Sequence, residues 1–181
     1  MAEIRLKIRR HRYDRVVSKT LRQEFASLEA AFVEDTSGTL WWILSAVRRK
    51  QFPRPFVERE LCQWLERHDN CVGPSLRWCR PVLDDPLDPH ARYLAPVIWN
   101  KAFERLNLRI EAMNLDTAGA ILDELGALLL PLRFSPESLA EKIMTLCKSD
   151  ELLKTSVYRW ASSQRDGNGK GQLASALLER F

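Results

Sequence analysis

Apolar positions along most of this chain recur at intervals of three and four, the spacing that lines one face of an α-helix. Val17, Leu21, Phe25, Leu28 and Phe32 form one such stripe, predicting a helix over residues 14–35 with Arg12, Arg15, Lys19 and Arg22 along its other side. Thr36-Ser37-Gly38 breaks that stripe and offers the cap of a second helix, Thr39 to Lys50, whose closing Arg48-Arg49-Lys50 suits the negative end of a helix dipole. Pro53 and Pro55 open a third, to His68, with Phe56, Leu61, Trp64 and Leu65 on one side.

Residues 69–90, carrying Pro74, Pro81, Pro86 and Pro89, break the periodicity and predict an irregular connection interrupted by a short helix at Ser75 to Cys79. Beyond it, Asp88-Pro89 starts a helix to about Met113 in which Leu94, Ile98, Ala102, Leu106 and Ile110 stay in register, and Pro96 either kinks it or marks its true start. Asp116 is placed to cap the next helix, ended by Pro131. Ser135-Pro136-Glu137 opens one to Cys147, Ser149-Asp150-Glu151 one to about Gln164, and residues 166–169 form a link before a last helix, Gln172 to Phe181. The expected fold is all-α, an antiparallel helical bundle: an N-terminal lobe at 13–70, the Pro-rich connection at 71–90 and a C-terminal lobe at 91–181.

The opening residues behave differently. In AEIRLKIRR, Ile4, Leu6 and Ile8 alternate with Arg5, Lys7 and Arg9, the period of an extended strand with one dry and one charged face. Residues 1–12 are expected to form a basic extended arm that docks on the helices or pairs with the sheet edge of another subunit. No apolar run approaches the length of a membrane span, and the Arg-rich start is unlike a secretory leader. Four cysteines without a leader predict reduced thiols and a cytoplasmic protein.

Charge sharpens this picture. Of 28 basic and 24 acidic residues, eight basic and two acidic fall in residues 1–22, leaving the rest of the chain slightly acidic. Localised positive charge points to a polyanionic partner. The residues expected to meet it are Arg5, Lys7, Arg9, Arg10, Arg12, Arg15, Lys19 and Arg22, then Arg48, Arg49, Lys50 and Arg54, with Arg77 and Arg80 flanking Trp78. Six tryptophans (Trp41, Trp42, Trp64, Trp78, Trp99, Trp160) offer faces for stacking on bases. Helical register assigns four or five of them to the core and leaves whichever of Trp41 and Trp42 faces away from Leu40, Leu44 and Val47 exposed.

Enzyme signatures are missing: no Gly-rich phosphate loop, nucleophile elbow or His-Glu metal motif occurs, and no acid, base and nucleophile can be assembled. Cys62, His68, Cys71 and Cys79 lack the close paired spacing of a zinc site, and Asp84, Asp85, Asp88 and His90 are punctuated by prolines, with Asp88 better used as a cap. No catalytic residue, metal or cofactor is expected.

From Leu40 to Gln164 the order of features resembles the small helical subunit of type I CRISPR surveillance (Cascade) complexes: LWWILSAVRR from Leu40, VGPSL from Val72, FERLNLRIEAMN from Phe103, ILDELGALLLPL from Ile121, and SPESLAEKIMTLCKSDELLKTSVYRWASS from Ser135. The resemblance implies two helical lobes stacked as copies along a guide RNA, holding the displaced DNA strand through surface Arg and Lys without catalysis. It also implies an arginine after the VGPSL segment at the position where this chain has Trp78, and here Arg77 stands one residue earlier. Two other readings stand beside it: a protein-binding adaptor that uses the Ile4, Leu6, Ile8 arm, and a helix-turn-helix DNA-binding regulator in Ser138 to Arg165, where SLAEKI and TSVYRW are more widely spaced than that motif allows. The expected partners are RNA or single-stranded DNA, other protein subunits and further copies of the chain, with no membrane.

Overall fold

A computed structural model describes residues 19–84, 88–164 and 168–181. The fold is all-α, and the described residues include no strand. The extended arm expected at residues 1–12 lies outside them, as do Val17 and the first basic positions. The chain divides into two compact units, Met1–Arg105 and Leu106–Phe181.

In the first unit, α1 (Lys19–Ala26) and α2 (Leu28–Glu34) replace the single helix expected over 14–35. The break is at Ser27, whose hydroxyl donates back to the Glu24 carbonyl at 2.7 Å, a competing bond that serine makes readily. Helix α3 (Thr36–Arg48) begins three residues earlier than expected, because Asp35 supplies the cap by accepting the Gly38 N–H at 2.9 Å. It ends in a tight turn: Gln51 N–H bonds the Ala46 carbonyl and Lys50 N–H that of Val47, with Lys50 left-handed at φ 57°. Helix α4 (Arg54–Arg67) follows, with Pro55 in its first turn as its sequence demands.

Residues 71–84 correct the expectation of an irregular connection. A short 3₁₀ turn, Asp69–Cys71, runs into α5 (Val72–Asp84). Val72, Gly73, Ser75, Leu76, Trp78, Cys79 and Val82 of that helix are buried. Pro74 is the third helical residue, where no intrahelical N–H is required, and Pro81 falls in the last turn on the exposed side, so neither breaks the part that carries the core face. Helix α6 (Pro89–Glu111) runs through Pro96 without interruption. Its residues up to Arg105 belong to the first unit and the rest to the second. The core of the first unit centres on an aromatic cluster: Phe25 stacks on Trp64 with centroids 4.8 Å apart and meets Phe52 and Phe56 edge-on, while Phe32 packs on the same indole. Offset and edge-on ring pairs of this kind add about 0.5–1.5 kcal/mol each beyond the area they bury.

The second unit contains α7 (Ala118–Leu132), α8 (Pro136–Cys147), α9 (Glu151–Ser163) and α10 (Gly169–Leu178). Asp116 does not cap α7: the turn before the helix is closed by Asn114, whose side-chain oxygen accepts the N–H groups of Asp116 and Thr117, and Thr117 at the cap position makes no side-chain cap bond. Ser135 caps α8 and Asp150 caps α9, as their sequences predict. Asn168 caps α10 three residues before the expected start, so Gly169 is helical. That glycine allows a backbone-to-backbone crossing: a Cβ on Gly169 would collide with the Gly126 carbonyl oxygen of α7, and one on Gly126 would lie 2.8 Å from the Lys170 Cα. Nearby, Asp123 of α7 accepts from Lys170 Nζ of α10 at 2.6 Å and from Trp160 Nε1 of α9 at 3.3 Å, tying three helices through one carboxylate. Ile121, Leu122, Leu125, Leu128 and Leu129 form the buried face of α7. No described helix is long and apolar enough to cross a membrane.

Candidate nucleic-acid interface

Residues 36–57 contain no Asp or Glu and four cations, Arg48, Arg49, Lys50 and Arg54. These four lie at the connection of α3 and α4, and two of them reach side chains at the start of α6. Arg48, in the last turn of α3, forms an ion pair with Asp88, whose other oxygen accepts the His90 N–H at 2.7 Å and so caps α6. Arg54, at the start of α4, bonds Glu58 at 3.0 Å and lays its guanidinium 4.8 Å over the ring of Tyr93, an exposed residue near the start of α6. The loop between α3 and α4 carries Arg49 and Lys50 outward and Phe52 inward, where Phe52 meets Phe25 of α1 and Trp42 of α3.

These pairings divide the predicted residues. Arg48, Arg54 and Arg80 are each engaged by a carboxylate, Arg80 by Asp84 at 3.1 Å. Arg49, Lys50, Arg77 and Lys19 are exposed and have no ion-pair partner among the described residues. Arg22 is exposed on α1. Arg5, Lys7, Arg9, Arg10, Arg12 and Arg15 lie outside the described residues.

Two tryptophans face outward where one was expected: Trp41 is 48% and Trp42 49% exposed. They occupy adjacent positions, and the buried arc of α3 at Leu40, Ile43, Leu44 and Val47 is too narrow to include either. Each rests against another ring, Trp41 edge-on against Trp78 at 5.4 Å and Trp42 against Phe52 at 6.3 Å. Trp64 and Trp78 are buried, while Trp99 and Trp160 are half-buried, so fewer indoles are fully in the core than register suggests. Sequence reasoning passed over Tyr93 and its exposed neighbour Arg92. The signal was available, because neither fits the Leu94, Ile98, Ala102 register.

The remaining candidate chemistry is dispersed. The four cysteines are unpaired. Cys71 Sγ lies 3.7 Å from the Phe32 carbonyl and Cys79 Sγ 3.4 Å from that of Ala95. His68 instead meets Glu29 at 2.8 Å. Burial pushes the thiols of Cys62, Cys71, Cys79 and Cys147 up, which makes them poor nucleophiles at neutral pH. Among the described residues, no group of three or more His, Cys, Asp or Glu is placed to hold a metal. Asp84 and Asp88 are occupied by Arg80 and Arg48, and Asp85 lies outside the described residues.

No family model, no curated protein and no solved structure matches this chain.

Proposed function

We propose that this chain is a non-enzymatic, nucleic-acid-binding helical subunit of a cytoplasmic ribonucleoprotein assembly, in the manner of the Cascade small subunit that its sequence resembles. Its partners in this reading are RNA or single-stranded DNA, other protein subunits and further copies of itself. One observation carries the proposal: a stretch free of carboxylates places Arg48, Arg49, Lys50 and Arg54 at the connection of α3 and α4, with Arg49 and Lys50 exposed and without an ion-pair partner among the described residues. Such cations neutralise phosphates and release counterions, so binding weakens steeply as salt rises. Fluorescence anisotropy with a labelled single strand tests this. Two phosphate contacts, at Arg49 and Lys50, predict an affinity loss of about sevenfold between about 50 mM and about 200 mM salt. Flat salt dependence, or no binding at low salt, overturns the proposal.

A second reading, a protein-binding adaptor, is favoured by large apolar side chains open to solvent in the second unit, among them Leu152 at 69% exposure and the Tyr158–Phe181 ring pair. It predicts binding to a protein partner that salt barely affects.

A further inference from the structure

We infer that the outer face of α3 holds unpaired nucleotides, their bases stacked on Trp41 and Trp42 and their phosphates met by Arg49 and Lys50. This rests on the nucleic-acid reading above and adds the side chains that hold the bases. Two adjacent indoles, each about half exposed, are a large apolar surface to leave open on a helix. Both rings are steadied from one side, by Trp78 and by Phe52, so their orientation is set before any ligand arrives. A ring held in this way loses little freedom on stacking, which favours binding.

Charge selects the occupant. Arg49 follows Trp42 by seven residues, so it projects from nearly the same side of the helix, about 10 Å further along the axis. From there its long side chain reaches toward the backbone of a strand whose base lies on the Trp42 ring. No acidic residue occurs in 36–57, and the carboxylates that the fold brings to this region, Asp88 and Glu58, are engaged by Arg48 and Arg54. A lipid tail or an apolar helix would cover the tryptophans but leave Arg49 and Lys50 without partners. A duplex would satisfy the cations but keep its base faces hidden from the indoles. A single strand supplies both flat rings and phosphates, and stacking on an indole is indifferent to which base is presented and to the sugar beneath it.

The test compares three labelled ligands on the full chain at fixed low salt: a 12-residue oligothymidine, a strand with the same number of phosphates but abasic throughout, and a duplex of equal length. The intact strand is expected to bind about tenfold tighter than the abasic one. Trp41→Leu with Trp42→Leu, which keeps apolar bulk without a wide π face, is expected to shrink that ratio to about twofold. Equal binding of intact and abasic strands overturns the stacking inference, yet leaves the broader proposal standing if the salt slope persists. Polyglutamate binding as tightly as the oligonucleotide overturns it in favour of an acidic protein partner. No binding of any strand defeats both.

Discussion

Arg48 and Asp88, forty residues apart in sequence, form an ion pair in which the carboxylate also caps α6. One side chain therefore fixes the start of a helix and draws a cation of the candidate interface toward it. Asp88→Asn keeps a good cap and removes the charge pair, so it is expected to cost about 1 kcal/mol or less, Arg48 being well exposed. Asp88→Ala loses the cap too and is expected to cost about 1 kcal/mol more in urea unfolding. In the proposed function, Asp88→Asn also frees Arg48 and strengthens oligonucleotide binding about threefold, a change of roughly 0.6 kcal/mol. Unchanged or weaker binding would place Arg48 outside the contact surface.

Lys50 and Arg133 are the described non-glycine residues with positive φ, at 57° and 55°, and each occupies the left-handed position of a helix-ending turn. A side chain there costs about 1–2 kcal/mol. Replacing either by Gly relieves that strain against a loss of unfolded-state restriction, for a net gain of about 0.5 kcal/mol read as a higher urea midpoint. The two variants should part in binding: Lys50→Gly removes a proposed phosphate contact and lowers the salt slope by about 1, whereas Arg133→Gly leaves it unchanged.

The crossing of α7 and α10 depends on two positions with no side chain, Gly126 and Gly169. Gly169→Ala must push the helices apart and is expected to destabilise the protein by about 2 kcal/mol or more, despite alanine's better helix propensity. Gly119, also in α7 but with open space around its Cα, is the control: Gly119→Ala should raise stability by about 0.5–1 kcal/mol. Equal effects at the two sites would contradict the close approach.

Glu29 of α2 accepts from Arg67 and meets His68 at the end of α4. Burial works against its charged form, but hydrogen bonds from Arg67 and His68 and their positive charge outweigh it and hold the carboxyl below the usual range. A depressed folded value means that the stabilisation is present above the unfolded carboxylate range, near pH 4.3, and is lost as pH falls through the folded value. Glu29→Gln is expected to cost about 1 kcal/mol at pH 7, and the gap to the parent protein should narrow as pH falls below the unfolded carboxylate range. A gap that is constant with pH would mean the ion pair contributes nothing.

Local rules made α8 and α9 legible. Ser135-Pro136-Glu137 and Asp150-Glu151 state a cap and a first turn within three residues, and both helices start there. The same rules fail at α5, because the effect of a proline depends on its position; at the third residue and on the outer side of the last turn it interferes little. The helix break at Ser27 was hidden by a stripe whose apolar positions continue through it. At the candidate interface, the sequence named the cations but not their occupation. Asp88 for Arg48 and Tyr93 for Arg54 are long-range partners that only the folded chain supplies.

The caps at Asp35, Asp88, Ser135, Asp150 and Asn168 carry one more implication, for how the chain reaches its fold. Each is closed by atoms two or three residues away, so these turns can organise before distant parts of the chain have met. Folding built on such short-range closures has low contact order and little loop entropy to overcome in its early steps, and stopped-flow refolding should show a main phase on the order of milliseconds or faster.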